Sequence, residues 1–449
     1  MKRYEQMVNK HRERILNAVD YFWKNPETGY KEWKTNKYLS EAFEALGYEL
    51  TQAGDIPGFY TDVDTGIPGP TVAVMGELDA LICANHPECD PRTGAVHCCG
   101  HAAQIAALLG VAAALKEPGA LDGLCGKIRL MAVPAEELIE VEFRQELKEA
   151  GKIHYFGGKV EFMYRGFFDD VDMAFMIHTT IGESNMGRIT KGSNGCIAKM
   201  MEFQGVASHA GGSPEKGVNA LYAANLALNA INALRETFVD SAHIRVHPII
   251  TAGGNAVNAI PDQVKLESYI RGATMDDIVE VNHKVNRALA ASAAAMGANV
   301  HLRDIPGYWP NSNAPGLMPL MKEAMEQVLD TVSYEPEQWG TGCTDMGDLS
   351  SVMPTIHPYV SGSVGHSHGA DYYITDRETA CVSSAKVQLC LLNILLSNGA
   401  EKAKAVLAGF TPTFPKMADY FAFVDKLALS KQAVAQQTDG TIMLDFANR

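Results

Sequence analysis

Thr71-Val-Ala-Val-Met-Gly76 is apolar almost throughout and carries no polar alternation, the pattern of a strand buried on both faces. Two further runs repeat it. Lys127-Ile-Arg-Leu-Met-Ala-Val133 is cut at Pro134, and Val171–Ile177 ends at His178. Between the first two lies His101–Lys116, rich in Ala and Leu, which reads as a helix stopped by Pro118-Gly119. Residues 1–24 place Met7, Ile15, Val19 and Phe22 at helical spacing, and Lys34–Leu46 reads as a second helix ended by Gly47. Strands alternating with helices predict an α/β fold with a mostly parallel sheet. Ligands of such sheets sit beyond the carboxyl ends of the strands.

The middle of the chain changes character. Ile197–Phe203 alternates, Pro214–Leu234 reads as helix, Ile244–Ala252 and Gln263–Arg271 as strands, and Asp276–Ala295 as a long Ala-rich helix. That β-α-β-β-α order predicts a small α+β domain over about 190–303, inserted into a larger one made of 1–189 and 304–449. The large domain resumes with a helix at about Leu317–Asp330 and closes with Glu378–Leu396; beyond Ala400 the expectation is a helical extension broken at Thr411–Pro415.

Composition narrows the class. The 449 residues carry 38 Lys+Arg against 53 Asp+Glu, a formal net charge of −15, with 47% hydrophobic and 20% charged residues. This is the balance of a folded chain of two or three domains. The acid surplus argues against nucleic acid or an anionic membrane, both of which call for clustered Lys/Arg. Nine cysteines, odd in number and sparse, do not make a disulfide scaffold. No apolar run follows the charges of Met1–Gln6, and the apolar stretch Ala102–Leu115 is too short to span a bilayer. The expectation is a cytoplasmic protein with reduced thiols.

Chemistry-bearing residues collect at the strand ends. Cys83, Cys89, Cys98 and Cys99 fall within nineteen residues that also hold His86, His97 and His101. In Cys99-Gly-His101 the glycine lets a thiolate and an imidazole turn toward one metal; a buried, inert cysteine is the plain alternative. A zinc knuckle would need a second C-x2-C half, which is missing. Pro134-Ala-Glu136-Glu137 offers adjacent carboxylates, one suited to metal and one to general-base work, or else an ordinary solvated turn. His178 ends its strand at the same edge. His209 lies in a Gly/Ser-rich loop, where it either caps a helix or stabilises an oxyanion. Asn258 and Arg271 suit a carboxylate ligand, and Gly365-His-Ser-His368 holds one more candidate ligand. There is no G-x-S-x-G elbow, Walker A loop or H-E-x-x-H motif.

The order of these motifs resembles the co-catalytic metal amidohydrolases and aminoacylases of the glutamate-carboxypeptidase superfamily, metallopeptidase family twenty. The branch most similar contains aminobenzoyl-glutamate hydrolases, auxin-conjugate hydrolases and dipeptide amidohydrolases. The likeness runs over about residues 10–397, from Asn25-Pro-Glu-Thr-Gly-Tyr-Lys-Glu32 through Glu77-Leu-Asp-Ala-Leu81 and the motifs above to Thr344-Asp-Met-Gly-Asp348 and His368. It implies two divalent metal ions, zinc or manganese, held by Cys99, His101, Glu137, His178 and His368, with Cys99 bridging. It further implies Glu136 as general base, Asp79 orienting a ligand, His209 at the oxyanion, and Asn258 and Arg271 on the substrate's carboxylate. His368 is preferred to His366 because Tyr372 and Asp376 follow it in the family's terminal pattern.

The activity so implied is hydrolysis of the amide bond of an N-acyl or N-aroyl amino acid by a homodimer joined through the inserted domain. A dipeptidase or carboxypeptidase shares every motif, and a non-catalytic binding protein is the alternative from another class. Three departures stand out: Ala102 where the branch carries Asp or Asn, and insertions at about Cys83–Gly94 and Leu138–Phe156.

Overall fold

The first quoted run folds as the strand Thr71–Glu77, buried along its whole length, in a computed structural model that describes residues 2–447. Lys127–Val133 and Met173–Phe175 pair with it in parallel on either side, and Thr355–Ile356 continues the parallel order. Phe59–Asp64 and Thr51–Gln52 complete the far edge antiparallel. This is the mostly parallel α/β sheet the sequence predicts. The helix His101–Leu115 is apolar on every side, so it cannot face water; all its residues are buried, packed on Thr71–Glu77 and the helix Arg12–Lys24. Glu378–Leu396 has the length and apolarity of a membrane span, yet 83% of it is buried inside the fold.

The chain divides into two units. One comprises Met1–Gly192, Asn311–Trp339 and Asp345–Pro415; the other comprises Ser193–Pro310, Gly340–Thr344 and Lys416–Arg449. In the first unit a second sheet continues from the parallel one: His178–Ile181 runs parallel to Tyr359–Val364, which also pairs with Met186–Ser193 and Tyr373–Ile374. The second unit is an antiparallel sheet centred on Gly195–Gln204, Gln263–Gly272 and Asn299–Pro306. Gln263–Gly272 alternates buried with more exposed residues, so one face meets the helices Ala220–Leu234 and Met275–Ala295. Both helices start where a side chain caps them: Asn219 accepts from Tyr222 N and Thr274 from Asp277 N.

The C-terminal segment differs from expectation. After the helices Glu401–Gly409 and Met417–Val424 the chain forms the strands Leu429–Gln436 and Ile442–Leu444, which extend the second unit's sheet from Asn299–Pro306. The helix-favouring Lys, Gln and Ala of Leu429–Gln436 yield to the unpaired backbone groups of a sheet edge, which this strand satisfies. The segment from Lys416 therefore groups with the second unit rather than extending the first. The N-terminal helix is also two, Lys2–Lys10 and Arg12–Lys24, separated at His11.

Candidate metal centre

The parallel sheet delivers three loops to one edge. Thr71–Glu77 leads directly to Asp79, Lys127–Val133 to Glu136 and Glu137, and Met173–Phe175 to His178. Cys99 and His101 reach the same place from the start of the buried helix, where Gly100 takes φ +109° and a Cβ would lie 2.6 Å from the Tyr372 hydroxyl. A side chain there would meet both a steric and a conformational penalty. Tyr372 donates that hydroxyl to the Cys99 carbonyl at 3.3 Å.

Each imidazole is oriented from behind. His101 Nδ1 lies 2.9 Å from the Asp79 carbonyl and 3.2 Å from Asp79 Oδ1, two acceptors that put the proton on Nδ1 and turn Nε2 inward. His178 Nδ1 faces the Thr179 carbonyl at 2.7 Å, which turns Nε2 to within 3.5 Å of Cys99 Sγ. His368, at φ +65°, is anchored by its N–H to the Cys98 carbonyl and brings Nε2 to 3.3 Å from Glu137 Oε1. His366 points elsewhere: its side chain is 86% exposed and pairs with Asp371. Ala102 is buried among apolar neighbours, and the orientation of His101 comes from Asp79.

The donors form three overlapping groups: Cys99, His101 and His178; Cys99, Glu137 and His368; and Glu77, His101 and Glu136. Within each, the ligand atoms lie within 4.8 Å of one another. His101 Nε2, Glu137 Oε1 and Glu77 Oε2 are buried without a well-formed hydrogen bond, although His101 Nε2 is 3.1 Å from Glu77 Oε2 and His368 Nε2 is 3.3 Å from Glu137 Oε1. Donors that converge without hydrogen-bond geometry fit a shared cation, and thiolate, imidazole and carboxylate together suit zinc or a similar divalent ion.

Glu77 and Asp345 stand in motifs quoted from the sequence but receive no role there, and Lys159 and His357 are not singled out. Lys159 is fully buried and its ammonium is held between the Glu77 and Asp345 carboxylates. His357 is buried beside His178, ring centroids 5.7 Å apart. The insertion at 83–94 is a loop closed by pairing of Leu81–Ile82 with Ala95–Val96, and His86 within it bonds the Tyr372 carbonyl rather than a metal group. The insertion at 138–156 carries the helix Val141–Glu149.

His209, Asn258 and Arg271 belong to the second unit. His209 is exposed; its Nδ1 accepts from Gly211 N at 3.1 Å and Gly212 N at 2.8 Å, which leaves the proton on Nε2. The Asn258 carbonyl accepts from Ala210 N, so these two loops are neighbours. Arg271 lies on Gln263–Gly272, half-buried, its guanidinium 5.1 Å from the Tyr269 ring centroid.

Burial and like charge act strongly here. Burial, then Glu77 and Glu137, push Glu136 well above the usual carboxylate range. Burial would also raise Glu137, but His368 outweighs it and brings the carboxyl to about 2; the same pair lifts His368 to about 11. Burial and Glu137 oppose a thiolate at Cys99, yet His101 and His178 bring it to about 6.

His97 and His357 are driven by burial to about 3 and stay neutral in the fold. Unfolded histidine titrates near 6.5. Between about pH 3 and 6.5 the unfolded chain therefore binds more protons, and stability falls with falling pH by about 1.4 kcal/mol per unit per histidine. Urea unfolding from pH 7 to 4 is expected to show a shallower acid loss in His97→Gln than in wild type. Equal slopes would contradict this.

Residues 73–393 match the sequence profile described as Peptidase family M20/M25/M40. The chain is 28% identical over 409 residues to one of the subunits of the p-aminobenzoyl-glutamate hydrolase of Escherichia coli (strain K12), covering 88% of this chain and 79% of that one. It is 27% identical over 394 residues to the Xaa-Arg dipeptidase of Homo sapiens, covering 82% of each. The fold matches the crystal structure of a dinuclear metal-binding peptidase of the M20 family from Bacillus subtilis. There the TM-score is 0.62 at 19% identity, over 88% of this chain and 99% of that one.

Proposed function

The chain belongs to the Peptidase family M20/M25/M40 and is a hydrolase of amide or peptide bonds; we propose that its substrates are N-acyl or N-aroyl amino acids and related small conjugates. The observation that carries this reading is the convergence of Cys99, His101, His178, Glu137 and His368 beside a buried second carboxylate, Glu136. Cys99 is shared by two donor groups, one completed by His101 and His178 and the other by Glu137 and His368, and these five residues would hold the two divalent ions. Zinc or manganese would polarise the scissile carbonyl and make water acidic enough to react near neutral pH.

Glu136 is the general base in this reading. It takes the proton of the attacking water and passes it to the leaving amine. A carboxyl whose pKa is raised by burial and by two neighbouring acids holds a proton more readily than a solvated one, which suits that return step. Asp79 keeps His101 and the Glu137 backbone in register. His209, with Nε2–H outward, would steady the oxyanion, and Asn258 and Arg271 would take the substrate's carboxylate.

A dipeptidase is the second reading, supported by the similarity to the Xaa-Arg dipeptidase. A metal-reconstituted screen separates the two. N-acyl amino acids and aminobenzoyl-glutamate are expected to be cleaved faster than free-amine dipeptides, and the reverse order would favour the second. Glu136→Gln is expected to lose at least about 100-fold in kcat, the scale of a positioned acid–base group; full activity would remove its assigned role. The second unit leaves Tyr222, Leu226, Ile249 and Ile250 exposed, the first two one turn apart on one helix, which supports a homodimer through this unit. Sedimentation is expected to find a dimer; an active monomer would contradict it.

A further inference from the structure

Arg144 lies on the helix Val141–Glu149, within the segment that looks inserted when the sequence is read, yet it is 0% exposed. A guanidinium out of water needs partners for its donors. Here Nη1 and Nη2 meet three backbone carbonyls, two of them on the loop that carries Glu136. Nη1 donates to the Ala135 carbonyl at 3.3 Å and to the Phe156 carbonyl at 2.6 Å, and Nη2 donates to the Glu137 carbonyl. The N–H groups of Ala135 and Glu137 are held by buried carboxyl groups: Ala135 N donates to Glu32 Oε1 at 2.8 Å and Glu137 N to Asp79 Oδ2 at 2.8 Å. The residues flanking Glu136 thus have both backbone groups fixed by buried polar side chains.

The loop requires such holding. Ala135 sits at φ +56°, a conformation that persists in a non-glycine residue only where its surroundings over-determine it. The N-terminal stretch supplies the opposite wall. Gly29 makes room, since a Cβ there would lie 2.3 Å from Arg144 Nη2 and 2.9 Å from the Ala135 Cα. Tyr30 lies under the guanidinium, 5.5 Å from its ring centroid, and its hydroxyl donates to the Tyr155 carbonyl. The run Asn25–Glu32, whose purpose the sequence alone does not disclose, is therefore the seat of Arg144.

We propose that Arg144 is a positioning residue that holds the Ala135–Glu137 backbone so that Glu136 and Glu137 point apart, one toward the reacting water and the other toward metal. The assignment of what those two carboxylates do rests on the functional reading above. The planar fork spans two carbonyls on either side of Glu136, which an ammonium cannot reproduce. A displacement of about 1 Å at a catalytic group costs about 100-fold in rate.

Arg144→Lys and Arg144→Met, each with metal in excess, test this by kcat, KM and hydrogen exchange of the backbone across 134–140. Exchange along His101–Leu115 reports global folding. The expectation is a kcat about 100-fold lower with KM within about threefold. The Ala135 and Glu137 amides should lose protection while His101–Leu115 keeps it. A kcat within about threefold of wild type overturns the proposal, as does a fall in kcat with those amides still protected. Protection lost throughout in both variants marks Arg144 as part of the scaffold and overturns it too. If the wild-type protein cleaves nothing in the substrate screen, the functional reading fails separately, and the exchange result alone decides whether Arg144 holds the loop.

Discussion

Asp79 accepts hydrogen bonds at both carboxylate oxygens, from His101 Nδ1 at Oδ1 and from Glu137 N at Oδ2. It stands two residues past the strand Thr71–Glu77, whose parallel neighbour Lys127–Val133 feeds the Glu136–Glu137 loop. One buried side chain thereby links the strand end, the first residue of the buried helix and the loop of adjacent carboxylates. The tautomer of His101 follows from it, and so does the direction of Nε2. The rest of the centre is arranged around those two consequences.

The centre is also crowded with negative charge. Glu77, Asp79, Glu136, Glu137 and Asp345 are all buried, and the Lys159 ammonium pairs with Glu77 and Asp345. Buried like charges are relieved either by taking up protons or by binding cations. The raised pKa of Glu136 is the first response, and the cluster of converging donors is built for the second. Divalent ions bound there would offset charge that otherwise opposes burial, and so would couple metal binding to folding.

Much of this was legible in the sequence. Unalternating apolar runs identified the parallel strands, and chemistry-bearing residues just past their ends marked the edge where a ligand sits. Gly100 between Cys99 and His101 signalled a turn toward a common point. Lys159, Asp345 and Arg144 were not legible, because their meaning lies in contacts distant along the chain. Lys159 meets Glu77 across 82 positions and Asp345 across 186, and no local pattern separates such a lysine from one on the surface. Arg144 lies on a short helix with Glu and Lys around it, the composition of a solvated face. The C-terminal strands were hidden for a related reason, since their pairing is set by the free edge of a distant sheet rather than by their own propensity.

Thiolate, imidazole and carboxylate donors at the strand ends, with Cys99 shared by two donor groups, are proposed to hold two divalent ions. Titration of the metal-stripped protein with zinc or manganese, read by calorimetry and by elemental analysis after gel filtration, tests this most directly. The account predicts close to two equivalents bound with release of protons, because several donors must lose protons to bind. It also predicts that Cys99→Ala weakens both sites together. Failure to take up metal, or a Cys99→Ala protein that binds two equivalents as tightly as wild type, would contradict it.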